Sequence, residues 1–266
     1  MRRGEPARYD EEFFASLQEG VRRSAQIIVP ILIDLVHPRS VIDVGCGVGT
    51  WLKGFADSGV TDVLGLDGDY VDRAMLEIPP ERFQPTDLAQ PFSIGRRFDL
   101  VLCLEVAEHL EGDQAATLVA SLVAHAPVVA FSAAIPGQGG THHVNEQWPA
   151  YWLQHFAGHG YACLDVLRPA LWTRPAVESW YAQNMLLFVA REALQGGRWE
   201  AARARSSLYA LDVVHPRLHL ARLEGPRYDE MRPRELLGAG RSTLRTLGHI
   251  LRALVVATAR GASLRR

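Results

Sequence analysis

The chain has 266 residues, 48% of them hydrophobic, which is enough for one domain with a substantial apolar core and additional segments. Its 28 basic and 30 acidic residues give a formal net charge of −2, which argues against an overall field that recruits nucleic acid or anionic membranes. The three cysteines are far apart and lack C-x-x-C spacing, so neither a disulfide framework nor a zinc site is indicated, and a reducing cytoplasm is the expected location.

The first predicted element is helical. Apolar residues recur at helical spacing from Tyr9 to Val36 with Pro30 among them, which predicts either two helices or one kinked helix. We interpret residues 1–38 as an N-terminal helical cap that lies across the mouth of a ligand site. The first residues are too acidic for a signal peptide, and no apolar run reaches the roughly 18 residues that span a bilayer.

A β-branched apolar strand, Val41–Val44, breaks into a run of glycines before helical sequence resumes. Glycines permit a tight turn and let the backbone approach a ligand, while the free N–H groups that open the next helix can donate to it. The pattern therefore predicts a turn that binds a nucleoside-containing cofactor. Its predicted binding residues are Asp43, Gly45, Cys46, Gly47 and Gly49.

The second predicted strand, Val63–Leu66, ends in Asp67 and Gly68. Asp67 follows the first glycine of the turn by about twenty residues, a spacing at which a carboxylate reaches the ribose hydroxyls of an adenosine ligand. An Asp-Gly pair also forms ordinary turns, and Asp69 is a second acid that could exchange roles with Asp67.

Two more strands follow, a short one near Arg82–Gln84 and a buried one over Leu100–Leu104 that ends in Glu105. Ligands collect at the carboxyl ends of the strands in an open parallel sheet, so Glu105 is predicted to lie in the crevice. Glu108 and His109 come one helical turn later and could bind a metal only if a third ligand joined them. We predict no metal and place His109 at the edge of the pocket.

In order and spacing, residues 40–190 resemble the class I S-adenosylmethionine-dependent methyltransferases. The resemblance is carried by DVGCGVG, the acid after the second strand, the TDL turn at residues 86–88 and FDLVLCLEVAEHL. It implies S-adenosylmethionine as cofactor, with Asp87 and Leu88 at the adenine and Glu105 at the methionine amino group or beside the acceptor. Ser24 resembles a family position near the cofactor carboxylate. The alternatives are a turn-forming Asp87 and a Ser24 that merely caps a helix.

Two further runs, IPGQGGTHHVNEQWPAYW and ESWYAQNMLLF, resemble a bacterial branch of small-molecule methyltransferases. In the family, the loop after the fifth strand, here Val128–Ser132, faces the transferred methyl group. The loop is dense in polar side chains, and a histidine is suited to removing a proton near neutral pH. We predict His143 as the general base, His142 as the second choice and Glu146 as a group that orients the histidine or binds a cation. The alternative is that both histidines only hold the loop.

The acceptor pocket is predicted from polar and aromatic residues around this loop and the later run, although aromatic core packing explains such residues equally well. The predicted substrate-binding residues are His109, Gln138, Trp148, Tyr151, Trp180 and Asn184.

Two last strand-like runs, Ala162–Leu167 and Met185–Val189, predict an antiparallel pair that closes the sheet. The predicted fold is therefore α/β, a Rossmann-like doubly wound sheet, mostly parallel with an antiparallel final strand. Residues 39–190 form the cofactor-binding domain, and residues 191–266 form an arginine-rich helical extension.

The end of this extension has leucines and arginines on different faces of a predicted helix. Packing on its own domain or in a homodimer is expected, and an anionic lipid surface or an acidic carrier protein is the alternative partner. The residues that carry this pattern are Leu244, Leu247, Leu251, Leu254, Arg241, Arg245 and Arg252.

The leading functional hypothesis is methyl transfer from S-adenosylmethionine to an oxygen or nitrogen of a small polar molecule, such as a sugar or a specialised metabolite. A nucleic-acid methyltransferase is disfavoured, because amino-methylating enzymes of that kind have a D/N-P-P-Y/F run where this chain has Leu104-Glu105-Val106-Ala107. A protein that kept the fold and lost the reaction is the third hypothesis.

Overall fold

The computed structural model describes residues 11–195, 197–208 and 211–224. The chain divides into two compact units, Met1–His219 and Leu220–Arg266. The domain boundaries at residues 38 and 190 stay predictions. The predicted basic helix at the end of the chain lies outside the described residues.

The centre of the first unit is a seven-stranded sheet with the strand order β3-β2-β1-β4-β5-β7-β6. All its neighbouring strands are parallel except that β7 is antiparallel to both β5 and β6. The predicted doubly wound sheet with an antiparallel final strand is thereby confirmed. The strands are β1 Ser40–Val44, β2 Asp62–Asp67, β3 Phe83–Pro85, β4 Leu100–Leu104, β5 Val128–Ser132, β6 Tyr161–Leu164 and β7 Leu186–Ala190.

Helices cover the sheet and extend beyond it at both ends of the described chain. They are α1 Glu11–Val36, α2 Thr50–Asp57, α3 Ala115–His125, α4 Pro149–Gly158, α5 Leu167–Leu171, α6 Ser179–Asn184, α7 Glu200–Arg205 and α8 Pro216–Glu224. The N-terminal segment is one helix that continues through Pro30, which decides between the two predicted alternatives. The run predicted as strand over Ala162–Leu167 ends earlier, because Leu167 already begins α5.

Two hydrophobic clusters lie on the two faces of the sheet. Successive residues of β1 alternate between them, with Val41 in one cluster and Ile42 in the other, as the two-residue repeat of a strand requires. The first cluster includes residues of α1, α2 and α6, and the second includes residues of α3 and α4. Because both faces are covered, the central strands consist almost entirely of buried apolar residues.

The site is positioned by the carboxyl ends of β1, β2 and β4. From β1 the chain crosses to β2 on one side and later returns to β4 on the other, so the loops after β1 and β4 separate and leave a crevice between them.

Part of the C-terminal extension belongs to the first unit. Trp199 and Ala202 are buried in the first hydrophobic cluster. The Gln183 amide donates to the carbonyl of Val213 at 2.6 Å. None of the described helices has the length and apolar character needed to cross a bilayer.

Candidate active site

A cavity of about 420 Å³ opens at the carboxyl ends of β1, β2 and β4. Its volume is within the range of roughly 300–1,000 Å³ that small-molecule sites occupy. Seven of the predicted site residues line it. The lining residues are Gly45, Asp67, Gly68, Tyr70, Thr86, Asp87, Leu88, Ala89, Glu105, Val106, His109 and Leu110.

The glycine turn is bonded to the end of β2 through Asp67. The backbone N–H of Gly47 donates to Asp67 Oδ2 at 2.7 Å, and that of Gly68 donates to Oδ1 at 2.7 Å. Gly45, Gly47 and Gly49 all have positive φ angles, which other residues rarely adopt. A Cβ atom on Gly47 would meet nothing within 4 Å, so the backbone there borders open space.

Asp43 is buried in β1, directly before the glycine turn, with 1% of its surface exposed. Its Oδ2 has no hydrogen-bond partner among the described residues. Burial, and secondly the neighbouring Asp67, raise the pKa of Asp43 well above its ordinary value. A carboxyl group in this state favours any ligand that brings a donor or a positive charge close to it.

Asp87 and Leu88 both line the cavity, and Asp87 is exposed. Asp87 Oδ1 accepts from the backbone N–H of Ala89 at 3.0 Å, the geometry of an Asx turn. Asp87 therefore both forms a turn and lines the cavity.

Ser24 lies outside the residues that line the cavity. Its hydroxyl donates to the carbonyl of Gly20 at 2.8 Å and accepts from the backbone N–H of Glu178 at 3.0 Å. These bonds attach α1 to the start of α6, and the side chain is fully buried. Asp43, Cys46, Gly47 and Gly49 are also absent from the lining; Gly49 precedes α2, and the Cys46 thiol lies in the first hydrophobic cluster.

Glu105 follows β4 with a φ of 54°, a left-handed conformation that is costly for a residue other than glycine. Its carboxylate accepts from Gln138 Nε2 at 2.8 Å and from Asn184 Nδ2 at 3.0 Å. Burial raises the pKa of Glu105, and the hydrogen bonds from Asn184 and Gln138 oppose that effect. Oδ1 of Asn184 is buried without a partner among the described residues. Two predicted substrate-binding residues thus meet a predicted cofactor-binding residue.

The loop after β5 folds back onto a short 3-10 helix, Ala107–His109. The backbone N–H groups of Val144 and Asn145 both donate to the carbonyl of Glu108, at 2.9 and 3.0 Å. This pair of bonds brings His143 beside His109, with ring centroids 4.9 Å apart and nearly perpendicular planes.

Glu146 organises the loop. Its carboxylate accepts from the backbone N–H groups of Gly137 at 2.7 Å and Gly139 at 2.6 Å. Nδ1 of His143 lies 3.0 Å from Glu146 Oε1, so we assign the imidazole proton to Nδ1, which leaves Nε2 free to accept. Burial acts to raise the pKa of Glu146, but His143 and the two glycine amides outweigh it and lower that pKa.

The two predicted histidines differ in environment. His142 is exposed and has a φ of 58°, whereas His143 is partly buried. The backbone of His142 lies near the His109 imidazole and acts to raise its pKa. Burial, and secondly His143, nevertheless lower the pKa of His109. A neutral imidazole is therefore favoured at this position.

Glu108, His109 and His143 form the one group of potential metal ligands found within residues 11–195, 197–208 and 211–224. Their ligand atoms all lie within 4.8 Å of one another. Burial, and secondly Glu105, raise the pKa of Glu108 to about 9. The third ligand that the sequence analysis required is thus present in the loop.

The aromatic residues predicted for the acceptor pocket do not all lie on the same face of the sheet. Tyr151 packs against the cluster on one face of the sheet and Trp180 against the cluster on the other. Trp148 directly precedes α4 and has 37% of its surface exposed. The physical reason is that α4 and α6 pack on opposite faces of the sheet. The spacing of apolar residues within a helix does not indicate which face of the sheet that helix covers.

Four cavity residues besides Ala89 were not predicted: Tyr70, Thr86, Val106 and Leu110. Val106 packs against the glycine turn, because a Cβ on Gly45 would lie 2.3 Å from the Val106 Cγ2. The Tyr70 hydroxyl donates to Asp67 Oδ1 at 2.5 Å. Thr86, Val106 and Leu110 lie within the runs that carry the family resemblance, and Tyr70 follows the predicted ribose-binding acid by three residues, so each had a signal in the sequence.

Comparison with known proteins agrees with this geometry. A family model described as a methyltransferase domain matches residues 9–164, which is more than half of the chain. The chain therefore belongs to this methyltransferase-domain family, and the protein is an S-adenosylmethionine-dependent methyltransferase. No curated protein matches the chain in sequence.

Three solved structures with a similar fold are described as follows. The sugar N-methyltransferase KedS8 from Streptoalloteichus sp ATCC 53650 is 18% identical with a TM-score of 0.50, covering 72% of this chain and 99% of its own. DesVI from Streptomyces venezuelae is 17% identical with a TM-score of 0.49, and the match covers 68% of this chain and 96% of DesVI. The amino pentose methyltransferase CalS10 from Micromonospora echinaspora is 17% identical with a TM-score of 0.47, covering 70% and 99%. At these identities the likeness to KedS8 establishes the fold and leaves the substrate open.

Proposed function

We propose that the protein transfers a methyl group from S-adenosylmethionine to an oxygen or nitrogen of a small polar molecule, a sugar or a specialised metabolite. The observation that carries the proposal is the cavity lined by Gly45, Asp67, Asp87 and Glu105, next to a polar loop that contains His143. KedS8 is described as a sugar N-methyltransferase, which makes amino sugars the first acceptors to test.

The residues present suit the cofactor. Asp67, bonded to the turn, offers carboxylate oxygens for the ribose hydroxyls, and the exposed Asp87 is available for the adenine amino group. The unpartnered Oδ2 of Asp43 suits the positively charged methionine end, reached directly or through water. The open space beside Gly47 allows close approach of the ligand to the backbone.

The reaction requires alignment more than chemical activation by the protein. S-adenosylmethionine supplies a methyl group on a sulfonium, which is displaced in line by the acceptor atom. The new bond joins the acceptor to the methyl carbon, the carbon–sulfur bond breaks, and its electron pair stays on sulfur. The protein has to hold the acceptor in line, exclude water and, for a hydroxyl, remove a proton.

His143 is the proposed general base, with Glu146 orienting it through Nδ1 and the free Nε2 accepting the acceptor's proton. His142 remains the second choice. The network of Glu105, Gln138 and Asn184 is proposed to contact the acceptor or the methionine amino group, because its Asn184 oxygen lacks a partner. An amine acceptor can lose its proton to solvent and needs no base.

The cofactor site is tested by Asp67→Ala in a calorimetric titration with S-adenosylhomocysteine. Removing the acceptor for a buried hydroxyl pair should weaken binding by about 1–3 kcal/mol. Asp69→Ala is the matched control, because Asp69 is an exposed acid two residues away and should bind normally. Normal affinity in the Asp67 variant, or a loss confined to the Asp69 variant, would remove Asp67 from the site.

The acceptor class is tested by measuring S-adenosylhomocysteine release with amino sugars, hydroxylated sugars, a short RNA and a peptide. Turnover is expected with a sugar or another small polar molecule, and turnover with RNA or peptide alone would refute the proposal. With a hydroxyl acceptor, His143→Ala should slow transfer roughly a hundredfold or more while cofactor affinity stays close to normal. Full activity of that variant would dismiss the general base.

A further inference from the structure

The proposed mode of cofactor binding assigns no role to the cluster formed by Glu108, His109 and His143. One side-chain atom from each residue lies within 4.8 Å of the other two. The cluster joins two separate elements, since Glu108 and His109 belong to the short 3-10 helix and His143 to the loop after β5. The hydrogen bonds from Val144 and Asn145 to the Glu108 carbonyl hold the two elements together.

The Glu108 side chain is the observation that points to a ligand. Glu108 has no exposed surface, and neither of its carboxylate oxygens has a hydrogen-bond partner among the described residues. A buried carboxylate without donors is costly, and proteins ordinarily satisfy such a group with hydrogen bonds or with a cation. The Glu105 side chain lies near that of Glu108 and contributes to raising the Glu108 pKa.

The His143 imidazole has a second partner that orients it. Nδ1 of His143 pairs with the Glu146 carboxylate at 3.0 Å. Histidines that bind metals usually donate their other ring nitrogen to a carboxylate or a backbone carbonyl, which sets the tautomer and the ring orientation.

We propose that Glu108, His109 and His143 bind one divalent metal ion of the Mn²⁺ to Zn²⁺ series. Two imidazoles and one carboxylate suit these ions, whereas Mg²⁺ and Ca²⁺ prefer sites made of oxygen ligands. This changes the expectation from sequence, which was that no metal binds. Three protein ligands leave positions open for another molecule.

The position of the cluster suggests what fills the open positions. His109 lines the cavity proposed for the cofactor, so an ion bound here lies beside the place where the acceptor must sit. This role rests on the proposed function, whereas the binding of the ion does not. An ion at this point would orient an acceptor hydroxyl and favour loss of its proton to solvent, with His143 as a ligand in place of a base.

The experiment uses the full-length protein, stripped with a chelator, dialysed and titrated separately with Zn²⁺ and with Mn²⁺ by calorimetry. One ion per chain is expected, with elemental analysis of the dialysed complex giving the same ratio. His109→Asn and Glu108→Gln should each lower the affinity by more than about a hundredfold, since loss of even an orienting partner costs tenfold to a hundredfold. His159→Asn is the control for weak surface chelation, because His159 is exposed and lies outside the cluster.

Absence of stoichiometric binding by both ions, or equal affinity in the wild type and His109→Asn, would overturn the proposal. His109 is exposed, so His109→Asn is expected to fold even if the buried Glu108→Gln does not, and thermal melting of each variant checks this. A parallel titration of the stripped protein with S-adenosylhomocysteine separates the two proposals. Normal cofactor binding without metal binding refutes only the metal site, and metal binding without cofactor binding refutes only the proposed function.

Discussion

At the scale of single residues, the hydrogen bonds that Asp67 makes within the protein compete with its proposed binding of a ribose hydroxyl. It binds the glycine turn through Gly47, and its other oxygen already accepts from Tyr70. The Tyr70 ring lies against Gly68, where a Cβ would come within 2.1 Å of it, although 81% of the tyrosine surface is exposed. Under the proposed function, Tyr70 therefore occupies a position on Asp67 that is proposed for a ribose hydroxyl.

Tyr70→Phe should strengthen binding of S-adenosylhomocysteine, because the ribose no longer displaces a protein hydroxyl from Asp67. A net hydrogen bond contributes about 0.5–1.5 kcal/mol, which corresponds to roughly two- to tenfold in affinity. Calorimetric titration measures the change. Tyr161→Phe removes a hydroxyl that bonds to the Val123 and Ala126 carbonyls, and it should leave this affinity unchanged. Weaker binding by the Tyr70 variant would mean that its hydroxyl contacts the ligand.

At the scale of elements, the loop after β5 is ordered by its own backbone and by one carboxylate. Glu146 binds the amides of Gly137 and Gly139, and the Gln147 N–H donates to the carbonyl of Ala134 at 3.1 Å. Gly140 packs directly against the imidazole of His143. The loop thus sets the position of His143 through contacts that need no cofactor.

Gly140→Ala should displace the His143 ring, because the added Cβ would lie 2.3 Å from its Nε2. A misplacement of about 1 Å in a reacting group can slow a reaction a hundredfold, so we expect a roughly tenfold to hundredfold fall in the transfer rate. Rates with a hydroxyl acceptor are compared with calorimetric cofactor affinity, which should not change.

Gly158→Ala is the matched control for Gly140→Ala, since a Cβ at Gly158 meets nothing within 4 Å and the residue lies at the end of α4. Equal rates for the Gly140 variant, the control and the wild type would mean that the position of His143 does not limit transfer.

At the scale of the whole molecule, a buried ion pair joins the sheet edge to the C-terminal segment. Arg168 in α5 contacts Asp165 through two hydrogen bonds, at 2.6 and 3.0 Å, and donates to the Leu211 carbonyl at 2.6 Å. Both charged side chains are buried. The segment after α7 is therefore part of the structure that stabilises β6 and α5.

Arg168→Leu should destabilise the protein by about 3–5 kcal/mol, because it leaves the Asp165 carboxylate buried without its partner. Urea unfolding at neutral pH measures the loss. Lys53→Ala breaks an exposed ion pair with Asp57 within α2 and should cost less than about 1 kcal/mol. If the two variants unfold alike, the buried pair does not stabilise the fold.

Much of the fold and of the cofactor-binding half of the site was predictable from sequence. All seven predicted strands are present, because runs of buried apolar residues bounded by glycine, proline and aspartate are local signals. Glu105 was predicted because ligands collect at the carboxyl ends of parallel strands, Asp67 from its spacing to the first glycine and Asp87 from the family resemblance; all three line the cavity. The unpredicted start of α5 at Leu167 goes with a tertiary contact, since the Arg168 guanidinium donates to the carbonyl of Leu211.

The sequence by itself determined the α/β sheet, its order of elements and the family of the enzyme, because these depend on short-range patterns along the chain. Only the tertiary structure decided that His143 joins Glu108 and His109, that Tyr70 reaches Asp67, and that Tyr151 and Trp180 lie on opposite faces of the sheet. Contacts of this kind depend on how loops and helices pack across the sheet, and no spacing within a single segment encodes that packing.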